Sequence, residues 1–321
     1  MKRISIGLLG LGNIGSGTYK VLELNRNHIQ SVAGLDLNIN RILEIDTDRD
    51  RGFTVAPGAF TEDPEKIFSD PEIDIVVELL GGIEPATEFM IKAMKAGKSV
   101  VTANKAAVAA NYEILTETAG NTGSAFRFEA SVGGGIPLIG AISDHLAANE
   151  FTEMLGILNG TTNYILTKMS EEGRSYEDVL DEAQRLGFAE ADPTSDVEGG
   201  DVANKLSILM SLIFGVRVKP DEIPTRGISK ITEDDIREAE AENCVIKLLA
   251  SAFRSKDGAE CFIQPTFVNK THPLADVRNE FNAIYIKGNA VGDLMFYGKG
   301  AGPFPTASAV LGDVITIAKS L

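Results

Sequence analysis

An apolar run, Ile4–Leu9, breaks at a cluster of glycines, and apolar residues then return at helical spacing through Ile14–Leu24. A short apolar run closed by glycine predicts a buried strand, and the spacing after it predicts a helix. The alternation continues. "INRILEI" (39–45) and "EIDIVVELLGG" (72–82) predict strands, with residues 25–38 as a polar loop ahead of the first. "ATEFMIKAMKAG" (86–97) predicts an amphipathic helix stopped at Gly97, and "KSVVTANK" (98–105) a strand and turn. "NYEILTETAGNTG" (111–123) predicts a helix, followed by the strand "AFRFEAS" (125–131). Strands separated by helices of roughly a dozen residues indicate an α/β, doubly wound parallel sheet of the Rossmann type. That assigns 1–131 to the first domain.

From residue 132 the pattern changes. "MLGILNG" (154–160) predicts a strand, "TTNYILTKMSEEG" (161–173) a helix with threonine at its start, and "SYEDVLDEAQRLG" (175–187) a helix with a Ser cap and a Gly stop. Residues 197–214 predict one long helix, followed by the β-type runs "CVIKLLASAFR", "CFIQPTFV", "NAIYIKG" and "AVGDLMFYG". The expectation for 132–300 is a second, α+β domain whose mixed or antiparallel sheet carries helices on one face. The last segment, 301–321, predicts an apolar helix that returns to the first domain.

A chain of 321 residues is long enough for two cores. Its net charge of −16 argues against nucleic acid and anionic membrane as partners, since both need clustered Lys and Arg. The apolar stretch after "MKRI" is broken by glycines, which argues against a signal peptide. No run of about 18 apolar residues occurs. The expectation is a soluble, cytoplasmic protein. Cys244 and Cys261 lie in runs joined by "SKDG" (255–258); a hairpin closed there sets Cys261 opposite about Ala252, which argues against a disulfide. His28, His145 and His272 lack metal-ligand spacing.

Gly10-Leu11-Gly12-Asn13-Ile14-Gly15 is a G-x-G-x-x-G between a strand and a helix. Gly10 permits the tight turn, Gly12 lets the backbone approach a pyrophosphate, and Gly15 lets the helix lie close to the strand. The alternative is a glycine turn without a ligand. Asp46, after the second strand, is placed to hold an adenosine ribose, which favours NAD over NADP. Arg49 and Arg51 follow closely and leave NADP open. Gly81, Lys105 and Glu129 fall at further strand ends, where such sheets bind ligands.

In the second half, "GFAEADPTSDVEGGDVANKLSILM" (187–210) gathers carboxylates before an apolar helix. Asp201 and Lys205 stand at i and i+4 and share a face that continues into Ile208, Leu209 and Leu212. Two readings stand: an exposed ion pair worth about 0.3–0.5 kcal/mol, or a lysine in a desolvated cleft, suited to proton transfer.

The chain resembles homoserine dehydrogenase across nearly its whole length. The resemblance rests on "GLLGLGNIGSG", "ELLGGIEPA", "VVTANKA", "EASVGGGIPLI", "GILNGTTNYIL", "GFAEADPTSDVEGGDVANKLSIL", "VIKLLASAF", "THPLADV" and "GKGAGPFPTASAVLGDVI", in the family's order. It implies interconversion of L-homoserine and L-aspartate 4-semialdehyde with NAD or NADP, in threonine and methionine biosynthesis. It further implies that Lys205 is the acid/base and that Lys105, near the nicotinamide, shares the task. Glu190, Asp201 and Asp196 would hold the substrate's polar ends, and Thr161, opening a helix, its carboxylate; a plain N-cap is the alternative for Thr161. Asn13, Ile14, Gly187 and Gly302 join the cofactor site, and Gly302 belongs to a loop closing over the nicotinamide. Glu129 and the carbonyls of Val132, Gly134 and Ile136 would coordinate a monovalent cation, sodium by expectation; a purely structural turn fits the same residues. A homodimer through the second-domain sheet is also implied.

Two departures matter. Where many members carry arginine for the NADP phosphate, this chain reads "EIDTDRD" (44–50). The chain also ends directly after the last helix, so a short form without a C-terminal regulatory module is expected. Two other functions stay open: a non-catalytic NAD-responsive regulator, which would need neither lysine, and a dehydrogenase of a related amino-acid semialdehyde. The enzyme reading requires Lys105 and Lys205, delivered by separate domains, to meet at the reacting carbon.

Overall fold

The computed structural model describes residues 1–256 and 258–321. It divides into two compact units, Met1–Gly135 with Ala301–Leu321, and Ile136–Gly300.

The first unit begins with β1 (Lys2–Leu9), α1 (Asn13–Ala33) and β2 (Leu35–Leu43). Then follow β3 (Phe60–Thr61), α2 (Glu65–Phe68), β4 (Ile75–Glu78), α3 (Ala86–Lys95), β5 (Ser99–Thr102), α4 (Lys105–Thr122) and β6 (Phe126–Arg127). All six strands are parallel, in the order β3-β2-β1-β4-β5-β6. The strand order reverses between β1 and β4, which opens a crevice at their carboxyl ends. There Leu9 pairs with Glu78, and Glu78 with Thr102, so three strands end level.

Residues 25–38 are not a loop: α1 runs on to Ala33 and stops at left-handed Gly34, because Val21, Leu22 and Ile29 keep one buried stripe under a polar exterior. The helix expected over 111–123 follows a first helical stretch that starts at Lys105, the two joined across a kink at Asn111 (φ −125°). The strand over 125–131 shrinks to two residues, since Ser131 bonds back to the Phe128 carbonyl through both its N–H (2.9 Å) and its hydroxyl (2.6 Å), forming a 3₁₀ turn over Glu129–Ser131.

The second unit contains β7 (Phe151–Ile157), α5 (Gly160–Glu172), α6 (Tyr176–Arg185), α7 (Thr194–Val197), α8 (Gly200–Leu209) and α9 (Glu233–Ala241). Its remaining strands are β8 (Cys244–Ser255), β9 (Gly258–Asn269), β10 (Phe281–Gly288) and β11 (Gly292–Lys299). The sheet, ordered β11-β10-β7-β8-β9, is wholly antiparallel. Ala252 pairs with Cys261 as the hairpin predicts, and both cysteines are free; the joining turn includes residue 257, outside the described residues. The single helix expected over 197–214 is three pieces. Gly199 takes a left-handed conformation (φ 88°) between α7 and α8, and a π-helical turn, Met210–Phe214, follows α8.

Helix α10 (Pro303–Ser320) completes the first unit. With α1 it covers the sheet face that carries Ile4, Ile6 and Leu8. Helices α2, α3 and α4 bury the opposite face, with Leu9, Val76 and Val100. The close contact of α10 with α1 needs Gly17, where a Cβ would lie 2.6 Å from the Pro303 carbonyl oxygen.

Candidate active site

In the first unit the glycine turn sits at the head of the crevice. Gly10 is left-handed (φ 90°) and donates its N–H to Leu43 O. A Cβ at Gly15 would stand 2.2 Å from Gly10 O, so the helix rests on the turn itself. Gly12 faces open space, with nothing within 4 Å of its missing side chain. It caps α1, whose first residues are Asn13 and Ile14. Exposed backbone at a helix N-terminus suits a phosphate group.

The acid at the end of β2 is Glu44, two residues ahead of the expected Asp46. Its carboxylate accepts from the N–H of Leu11 in the glycine turn (2.9 Å), from Ile45 (2.9 Å) and Asp46 (3.0 Å), and pairs with Arg51 at 3.3 Å. Burial pushes this carboxyl up, but the backbone donors and Arg51 outweigh it and hold it below the usual range. Asp46 lies in the exposed loop beyond, its carbonyl taken by Arg51. The Arg51 side chain is only 5% exposed and also donates to the carbonyls of Leu11 and Arg49. It is built into the protein, whereas Arg49 is exposed.

Across the crevice, fully buried Glu78 accepts from the Thr102 hydroxyl (2.6 Å) and from Leu80 N (2.7 Å). Burial raises its pKa, and these hydrogen bonds only partly oppose the rise. Thr102 in turn accepts from Asn104 N, while Asn104 caps α4 and donates to Gly82 O (2.6 Å). One network therefore fixes both the Gly81–Gly82 loop and Lys105, the first residue of α4. Glu129 is buried and donates its N–H to Asp313 of α10 (2.8 Å); Val132 is buried and Gly134 left-handed (φ 56°). Gly302 caps α10.

In the second unit Lys205 Nζ lies 2.6 Å from Asp201 Oδ2 and 2.6 Å from Leu158 O. The two side chains are 9% and 7% exposed, so the exposed-pair reading fails. Asp201 Oδ2 also accepts from Asn159 Nδ2 (2.9 Å), which donates to Asp196 Oδ1 as well (2.8 Å). The Asn159 carboxamide oxygen caps α5 by accepting from Thr162 N. The sequence pattern marks Asn159 only as the end of a strand, yet it holds two acids together.

Thr161 requires a correction. It is not the N-cap, and its hydroxyl donates to Phe188 O (2.6 Å), so that hydroxyl is committed. It instead tethers the segment carrying Gly187 and Glu190 to α5, whose Tyr164 ring packs on Phe188. Glu190 is exposed and stands outside the Lys205 network; Gly187 is left-handed after α6. Lys105 and Ile136 fall in different units from Lys205 and Glu129, respectively.

Replacing Asn159 with Ala removes a cap and both acid contacts. Chemical denaturation should show a loss of about 1–3 kcal/mol. Unchanged stability would mean the cap contributes nothing.

The family model described as "Homoserine dehydrogenase, NAD binding domain" matches residues 10–129, and the "Homoserine dehydrogenase" model matches 137–315. The homoserine dehydrogenase of Bacillus subtilis is 42% identical over 321 residues, all of this chain and 74% of that protein. The crystal structure of a homoserine dehydrogenase from Thiobacillus denitrificans is 44% identical, with a TM-score of 0.94 over 99% of this chain and 74% of that one. A hyperthermophilic archaeal homoserine dehydrogenase in complex with NADPH is 25% identical, with a TM-score of 0.83 over 99% of this chain and 98% of the other.

Proposed function

The chain belongs to the homoserine dehydrogenase family, and on that premise we propose that it interconverts L-homoserine and L-aspartate 4-semialdehyde with a nicotinamide cofactor. The observation that carries the reading is the buried Lys205–Asp201 pair, held by Asn159 beside Asp196. A bound nicotinamide supplies the acceptor for hydride in one direction and the donor in the other. Lys205 gives a proton to the developing alkoxide during reduction and takes it from the alcohol during oxidation. Asp201 and the Leu158 carbonyl keep its Nζ aimed while it does so. Lys105 contributes a second ammonium. Asp196 and Glu190 receive the substrate ammonium, and the N-terminus of α5 at Gly160–Thr161 takes the carboxylate through backbone N–H groups.

The glycine turn fits a dinucleotide, with Gly12 open to the pyrophosphate. NAD is the preferred form. Glu44 sets a negative charge at the end of β2 and Arg51 is already engaged, an arrangement that disfavours a 2′-phosphate. The ratio of kcat/KM for NAD over NADP should exceed one and fall about tenfold in Glu44→Gln. A ratio unmoved by the substitution removes Glu44 from cofactor selection.

The wider reading includes a monovalent cation, sodium, on oxygens of the Glu129–Gly134 loop; among the described residues no group of three or more His, Cys, Asp or Glu forms a metal cluster, so carbonyls would supply the other ligands. It includes a homodimer through the second unit's sheet. The register sets Phe253, Met295 and Tyr297 on one face, all exposed, which supports that surface. Among the described residues no helix is long and apolar enough to cross a membrane, and the proposed place of action is the cytoplasm. With L-homoserine and NAD at alkaline pH, the purified protein should accumulate the absorbance of reduced nicotinamide. No turnover with either cofactor refutes the reading.

A further inference from the structure

Lys247, on β8, is 3% exposed, as deeply buried as Lys205. Its surroundings differ in one respect. Lys205 has a carboxylate at 2.6 Å, whereas the Lys247 Nζ donates only to Asn163 Oδ1 (3.0 Å) and the Val277 carbonyl. An ammonium has three donors, so one is left without an acceptor among the described residues. Burial lowers this amine to about 8, with Glu171 and Asp276 opposing the shift and Arg278 adding to it. A buried cation with no counter-ion is unfavourable, and such a group is stabilised by any anion that reaches it.

A cavity lies against it. Lys247 lines a cavity of about 420 Å³ bounded by α5, α9, β8 and the segment 270–278, within the size range of small-molecule sites. The walls are partly apolar, with Leu166, Ile236 and Ala275. Around them Arg278 bridges Glu171 (3.1 Å) and Asp276 (3.7 Å), and Lys270 faces Glu240 at 3.8 Å. Lys247 apart, the lining therefore carries three carboxylates against two cations. Its one uncompensated cation is buried and its excess carboxylate lies elsewhere in the lining. A molecule with a carboxylate beside an ammonium matches that polarity; a simple anion or a simple amine matches half of it. None of the lining residues belongs to the network around Lys205.

We propose that this cavity is a binding site for a small α-amino acid, its carboxylate on Lys247 and its ammonium turned toward Glu171 and Asp276. The inference does not depend on the reaction assigned to Lys205. Isothermal calorimetry of the intact protein with L-valine and L-serine tests it, with propionate and isobutylamine as probes that each lack one charge. Saturable binding of the amino acids is expected, at least about tenfold weaker for either one-charge probe. Lys247→Met should abolish the heat. Should that variant fail to fold, Glu171→Gln, a less buried change, should weaken binding about fivefold or more. No heat up to about 10 mM amino acid overturns the proposal. So does binding that survives both substitutions, because the ligand then sits elsewhere.

Discussion

Replacing Lys205 with alanine is expected to lower kcat by about 10²–10⁴ while KM for homoserine changes by only a few-fold. The asymmetry follows from the assigned task, since a proton donor acts on the transition state more than on the bound substrate. The substitution has a structural cost too. The Asp201 side chain is 7% exposed and would lose the Lys205 ammonium, a loss of about 3–5 kcal/mol for a buried pair broken on one side. Rate and thermal unfolding must therefore be recorded together. The double change Lys205→Met with Asp201→Asn removes both members of the ion pair, so it should recover most of the stability and none of the rate. A Lys205→Ala protein that turns over nearly as fast as the parent would end the proton-transfer assignment.

Two glycines of the same turn, Gly12 and Gly15, should differ in whether stability falls together with affinity. Gly15→Ala places a methyl 2.2 Å from the Gly10 carbonyl oxygen, a backbone atom with no freedom to withdraw. The turn must deform, and affinity for the reduced cofactor should fall by about 100-fold or more, together with the melting temperature. Gly12→Ala meets nothing within 4 Å, so stability should hold within about 0.5 kcal/mol. Affinity should still drop about tenfold, because the new methyl occupies the space through which a pyrophosphate approaches. Fluorescence titration with NADH beside a thermal melt separates the two. Full affinity in Gly12→Ala would place the dinucleotide elsewhere.

How much of this was legible beforehand depends on what kind of signal each element left. Buried parallel strands announce themselves as unbroken apolar runs, and the switch point between β1 and β4 follows from their order. The far end of α1 did not, because its stripe of Val21, Leu22 and Ile29 is thin and its polar face dominates the local composition. That error pushed the end of β2 outward and hid Glu44 behind Asp46. The break before α8 needed the backbone: Gly199 is left-handed, which "VEGGD" permits but does not require. Asp201 and Lys205 were found by helical spacing, yet their burial was not, since a charged pair on a helix face is more often exposed. Asn159 was missed because strand-end "NG" usually marks only a turn; its second task, gathering Asp196 and Asp201, depends on residues far along the chain. Thr161 was misjudged for a related reason. The cap moved two residues earlier, and the hydroxyl found a partner in Phe188 that no local pattern announces.

The proposed reaction requires direct transfer of hydride between the substrate carbon and the nicotinamide. The most direct measurement uses L-homoserine with both hydrogens of its hydroxyl-bearing carbon replaced by deuterium, with NAD, and mass spectrometry of the reduced cofactor. The expected result is one deuterium per reduced nicotinamide, delivered without exchange into solvent. Reduced cofactor that carries only solvent hydrogen, or no reduction at all, would contradict it.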